Sequence, residues 1–188
     1  KGFATTAPAY EAWAWFAFAI ALSAVIIFRG IQGGIETANK IMIPAVFILL
    51  AALLVRVVML PGAWKGFEYM FHVDPKDFLN PRIWLAAFTQ AAWSSGAGWG
   101  MFHVYYVYAA KDEDIELNSF TVTFGDMVAA MLAGMVVLPA VFALSPDPQA
   151  VMKAGANGLT FVHLTNLFAH TSGGFVMAVL FFLALFSA

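Results

Sequence analysis

A chain of 188 residues that is 62% hydrophobic and only 11% charged is too apolar for a soluble domain, where about half the residues are apolar and about a quarter charged. Its composition is that of a membrane protein, and its 19 Phe and 6 Trp fit lipid-facing and interfacial positions. A net charge of −2 with no basic patch argues against a nucleic-acid partner, and the lack of cysteine closes disulfide and thiolate-metal chemistry.

Residues 1–11 (KGFATTAPAYE) carry neither an initiator Met nor a basic stretch followed by an apolar run, so no signal peptide is read there. Five apolar runs follow, at 12–28, 41–60, 83–110, 120–144 and 175–188, here segments A to E. The first four are long enough to span a bilayer at about 1.5 Å per residue, and the fifth stops while still apolar. The chain is therefore expected to be all-α and a single membrane-domain fragment of a larger polytopic protein, its last helix incomplete.

The A–B connection is short and contains Gly30, Gly33 and Gly34. Pro44 is expected in the first turn of segment B or just inside it, an ordinary place for proline. With Gly34 it could instead let that end of B unwind, but spacing alone favours the ordinary reading. The B–C connection, 61–82, reads as a long polar loop, and C–D carries Lys111-Asp112-Glu113-Asp114. The D–E connection, 145–174, opens with Ser145-Pro146-Asp147-Pro148 and holds enough apolar residues for one or two short interfacial helices. Short loops weigh most in the positive-inside rule, and here they carry Arg29, Lys40 and Lys111. They are expected in the cytoplasm, which places 61–82 and 145–174 outside.

Segment C is interrupted by Ser94-Ser95-Gly96-Ala97-Gly98-Trp99-Gly100. Each glycine inside a helix costs roughly 1 kcal/mol relative to alanine. Broken backbone at membrane depth survives only where it is buried in protein or lines a wet cavity. Freed amides and carbonyls, with the Ser94 and Ser95 hydroxyls, would face a ligand, and Trp93 and Trp99 would wall it. Close helix packing is the competing reading. However, Gly96, Gly98 and Gly100 at a spacing of two do not share one helix face.

Asp126 is the second informative residue, a carboxylate inside the uncharged run of segment D. Unpaired at that depth it costs on the order of 3 kcal/mol, and such groups face a cavity, a cation or a proton path. Its hard oxygens suit Na⁺ better than a soft metal. If helix D began later, beside Gly125, Asp126 would instead be an interfacial N-terminal carboxylate. Arg56 near an end of segment B is expected to snorkel to the interface. His72, His103, His163 and His170 make no metal-ligand spacing. No nucleophile–base pair, phosphate loop or dinucleotide fingerprint is present, so an enzyme is not indicated.

The run 90–100 (QAAWSSGAGWG), the preceding Pro81-Arg82-Ile83-Trp84-Leu85-Ala86-Ala87, and Gly34-Ile35-Glu36 through Asn39-Lys40-Ile41-Met42-Ile43-Pro44 resemble the neurotransmitter:sodium symporter family. Lys111-Asp112-Glu113-Asp114-Ile115 is similar to that family's cytoplasmic loop after its sixth helix. Lys153-Ala154-Gly155 and Gly158-Leu159-Thr160-Phe161 resemble its extracellular helical loop. The resemblance covers essentially the whole chain. It implies a twelve-helix fold with two inverted five-helix repeats, segments A to E standing for the fourth to eighth helices.

It further implies a substrate-lining break at Trp93, Ser94, Ser95, Gly96, Gly98, Trp99 and Gly100, with Trp93 as the aromatic lid. Ser94 and Asp126 would ligate one sodium, Gln90 would lie near the extracellular gate and Tyr108 at the cytoplasmic gate. Gly34 and Pro44 would form the pair linked to cytoplasmic unwinding. Asp126 departs from the family's usual Asn, which could alter stoichiometry or introduce proton coupling, and Trp99 replaces Phe or Met. The second sodium's Thr/Ser pair would fall just beyond Ala188, and the first helix is not in the chain.

The implied activity is sodium-coupled transport of an amino acid or related small amine across the plasma membrane, in contact with lipid. Chloride dependence and oligomeric state stay open. A non-transporting scaffold or receptor-like relative is the alternative, and an ion channel a weaker one.

Overall fold

The computed structural model describes residues 10–153, 158–170 and 172–187. Residues 1–9, Ala154 and Gly155 of the resemblance, and the last residue of segment E lie outside these. Among the described residues the chain is helical, with no strand.

Helix α1 covers Tyr10–Phe28, and Gly30 (φ 78°) turns the chain into a π-helical turn, Ile31–Glu36, that runs straight into α2, Thr37–Val58. The helical run thus begins ten residues before the apolar run of segment B, and the glycines do not break it. Gly34 is buried there because a Cβ at that position would collide with the Ile26 carbonyl of α1. The wide turn closes on its own side chains: the Thr37 hydroxyl donates to the Gln32 carbonyl at 3.3 Å. Pro44 therefore sits inside α2 rather than in its first turn, and it removes the amide that would pair with the Lys40 carbonyl.

The 61–82 connection is not simply a polar loop. It contains α3, Ala63–Phe71, and a 3-10 turn, Pro75–Leu79. Gly66 lets α3 lie against α6, where a Cβ would run into the main chain of Pro139. Tyr69 adds a ring contact with Phe142 at 5.2 Å between centroids.

Helix α4, Pro81–Ser94, starts with proline at its first position and Asn80 as its cap, the Oδ1 accepting from the Arg82 amide at 3.1 Å. Helix α5 covers only Met101–Tyr106, so segment C ends its second helical part earlier than its apolar run. Helix α6, Ile115–Leu144, is capped by Asp114, whose Oδ1 accepts from the Leu117 amide at 2.9 Å. In the 145–174 connection, α7 (Pro148–Lys153), a π-helical turn (Gly158–His163) and α8 (Leu164–Ala169) precede α9, Gly174–Ser187.

The core forms where α2, α6 and α9 meet. Leu53 and Val57 of α2, Val136, Ala140 and Val141 of α6, and Met177 and Phe181 of α9 are buried together with Phe168 of α8. By contrast, α4 has no buried residue, and it presents Leu85, Phe88 and Trp93 outward. Ile31–Val58 and Ile115–Leu144 are each long and apolar enough to cross a bilayer. An apolar outer face is the expected surface for lipid or for further helices.

Candidate functional site

The break between α4 and α5 is a chain of three left-handed glycines, each needed for a different turn. Gly96 (φ 66°) ends α4: its amide donates to the Trp93 carbonyl at 3.2 Å, and the Ala97 amide reaches the Ala92 carbonyl at 3.0 Å. This reciprocal pair is the Schellman stop, which demands a left-handed residue just past the helix. Gly98 (φ 82°) then takes the third position of a turn closed by the Trp99 amide on the Gly96 carbonyl at 3.1 Å, the geometry of a type II turn. Gly100 (φ 76°, ψ 0°) starts α5 from the left-handed region.

A Cβ at Gly98 or Gly100 would meet nothing within 4 Å. Their left-handed backbone is what requires glycine at these two positions. Part of the freed backbone is satisfied within the break itself, through the Gly96, Ala97 and Trp99 amides. Among the described residues, the amides of Gly98 and Gly100 have no backbone acceptor. Since α5 spans only six residues, its dipole adds little.

Ser94 is the last residue of α4, and the stop at Gly96 fixes where its side chain emerges. Its hydroxyl donates to Asp126 on α6, with Oγ 2.6 Å from both Oδ1 and Oδ2. Because α6 begins at Ile115, Asp126 lies about three turns inside it, not at its N-terminus. Asp126 is half-buried, and among the described residues the one ion pair is Lys40–Glu36 at 2.8 Å, so no Lys or Arg neutralises it. Two carboxylate oxygens and a hydroxyl at the carbonyl end of a helix make an all-oxygen, net-negative cluster, chemistry that suits a hard cation.

Trp93 and Trp99 bracket the break and touch edge to face, with centroids 4.9 Å apart at 82°. Their other faces are open, at 66% and 55% exposure, so both offer apolar surface beside the Ser94–Asp126 cluster. Ser95 is turned away from it, its hydroxyl pointing back to the Ala92 carbonyl at 3.5 Å. Gln90 lies one turn before Ser94 and is exposed.

Tyr108 and Pro44 meet elsewhere, on a cavity of about 600 Å³ between the start of α2 and the end of α5. Tyr105, Glu36, Asn39 and Lys40 also line it, and none of these was given a site role from sequence. The Tyr105/Tyr108 spacing and the polar residues at 36, 39 and 40 were the available signal. Gly34 does not line this cavity; it is buried against α1.

Residues 10–188 match the model of the family described as the sodium:neurotransmitter symporter family. An uncharacterized sodium-dependent transporter of Methanocaldococcus jannaschii is 34% identical over 168 residues, 86% of this chain and 34% of that protein. A second uncharacterized sodium-dependent transporter, from Haemophilus influenzae, is 30% identical over 160 residues, 84% of this chain and 33% of that protein. Among solved structures, the crystal structure of MhsT in complex with L-phenylalanine matches with a TM-score of 0.75 at 32% identity, over 92% of this chain and 38% of MhsT. The chain thus spans about a third of the length of these relatives.

Proposed function

This chain belongs to the sodium:neurotransmitter symporter family, and from that premise we propose that it forms part of a sodium-coupled transporter for an amino acid or related small amine. The observation that carries this reading is the Ser94–Asp126 cluster, a carboxylate with no ion-pair partner among the described residues and a hydroxyl, meeting at a helix break. A scaffold has no need to hold such a charge within a span, where it costs on the order of 3 kcal/mol.

Under this reading Na⁺ replaces the Ser94 proton as the partner of Asp126, and the hydroxyl turns its lone pairs to the ion. The substrate lies beside it along the glycine turn, through Ser95, Gly96, Gly98 and Gly100, against Trp93 and Trp99. That L-phenylalanine occupies MhsT supports an amino acid as the cargo. One Na⁺ moving down a tenfold gradient and 100 mV releases about 3.7 kcal/mol, enough for an accumulation on the order of several hundredfold. Transport then needs two states with access from opposite sides, each favoured by what is bound.

Gln90 stands on the extracellular side of the site in this scheme and Tyr108 on the cytoplasmic side of a plasma-membrane protein. The cavity at Pro44 and Tyr108 is the place for cytoplasmic opening, and the helix hydrogen bond that Pro44 cannot donate lowers the cost of bending α2 there. Amino-acid uptake by the full-length protein in liposomes, with and without inward Na⁺, tests the proposal. Uptake that ignores Na⁺ would overturn it.

A further inference from the structure

Arg56 occupies the last turn of α2, where a snorkelling arginine would send its head group to water. Instead it is half-buried and its Nη2 donates to the main-chain carbonyl of Ser172 at 2.8 Å, across 116 residues of sequence. Among the described residues it has no carboxylate partner, since the one ion pair there is Lys40–Glu36. Its charge is held by that carbonyl and by the carbonyl end of α2.

The turn that it grips is shaped for the grip. Gly173 is left-handed (φ 76°), and a Cβ there would sit 3.4 Å from Nη2 and 3.9 Å from Nε, so the guanidinium lies along the bare glycine. On the other side, Gly174 is buried where a Cβ would collide with the Phe168 carbonyl of α8. Below the turn, Leu53 and Val57 of α2 share one core with Met177 and Phe181 of α9.

We infer that Arg56 is a positioning residue that pins the end of the α6–α9 connection to α2, making α2, the turn and α9 one body. A main-chain carbonyl as acceptor makes the pin independent of the side chain at position 172. Resting on the transporter reading for its kinetic consequence only, the pin sets the rate at which the states interconvert and leaves the binding site itself untouched.

The test uses the full-length protein in liposomes with R56M, which keeps an apolar stem of similar reach, and R56K, which restores one charged donor. R56M is expected to speed amide exchange in the 172–177 segment about tenfold or more. It should lower uptake turnover about tenfold while the equilibrium substrate affinity stays within twofold, and R56K should recover part of both. Unchanged exchange in R56M would overturn the pin, whatever uptake does. Faster exchange with unchanged turnover would overturn its part in transport. If the wild-type protein shows no Na⁺-driven uptake, the transporter reading has failed, and the exchange measurement still decides the pin.

Discussion

Asp126 was legible because a charge inside an uncharged run violates the solvent it sits in. Its hydroxyl partner 32 positions away was not, since no local rule links Ser94 to α6. Only the family resemblance joined the two in sequence. The glycines were legible as a break but not as three turns, because a left-handed φ is a property of backbone closure. At Gly98 and Gly100 a side chain finds open space but a disfavoured backbone. Alanine there should each cost about 1–2 kcal/mol, read as a lower thermal midpoint of the purified full-length protein. Trp99 and Trp93 make an edge-to-face contact of about 0.5–1.5 kcal/mol. Trp99→Ala is expected to change the preference among amino-acid substrates more than the Na⁺ concentration for half-maximal uptake. Equal effects on both would count against its role as a wall.

At the scale of elements, apolar runs mark the middle of α2 and α6, while the helical run that contains α2 extends ten residues further towards the N-terminus than its apolar run. Polar Gln32 and Glu36 hid the π-helical turn, and its glycines looked like a loop. The short α3 escaped because nine residues containing Lys65 and Glu68 show no sustained apolar run. Its face is set by contact with α6, which sequence cannot show. Gly66→Ala should force α3 off Pro139 and cost about 1–3 kcal/mol as overpacking, with faster amide exchange across 63–71. The same substitution at Gly98 leaves α3 exchange unchanged, so the pair separates a crowding effect from a backbone one.

For the molecule as a whole, α2, α6 and α9 pack into a core at one end of α6, while Asp126 lies nearer its other end, beside the broken α4–α5 element whose apolar side is open. A chain spanning about a third of its relatives' length carries one wall of the proposed site. The Ser94–Asp126 cluster is proposed to bind the sodium that drives transport. Substrate-stimulated ²²Na⁺ uptake by the full-length protein in liposomes, compared between wild type and D126A, addresses it most directly. D126A is expected to abolish ²²Na⁺ uptake coupled to substrate while the protein remains folded. Coupled ²²Na⁺ uptake in D126A equal to wild type would contradict it.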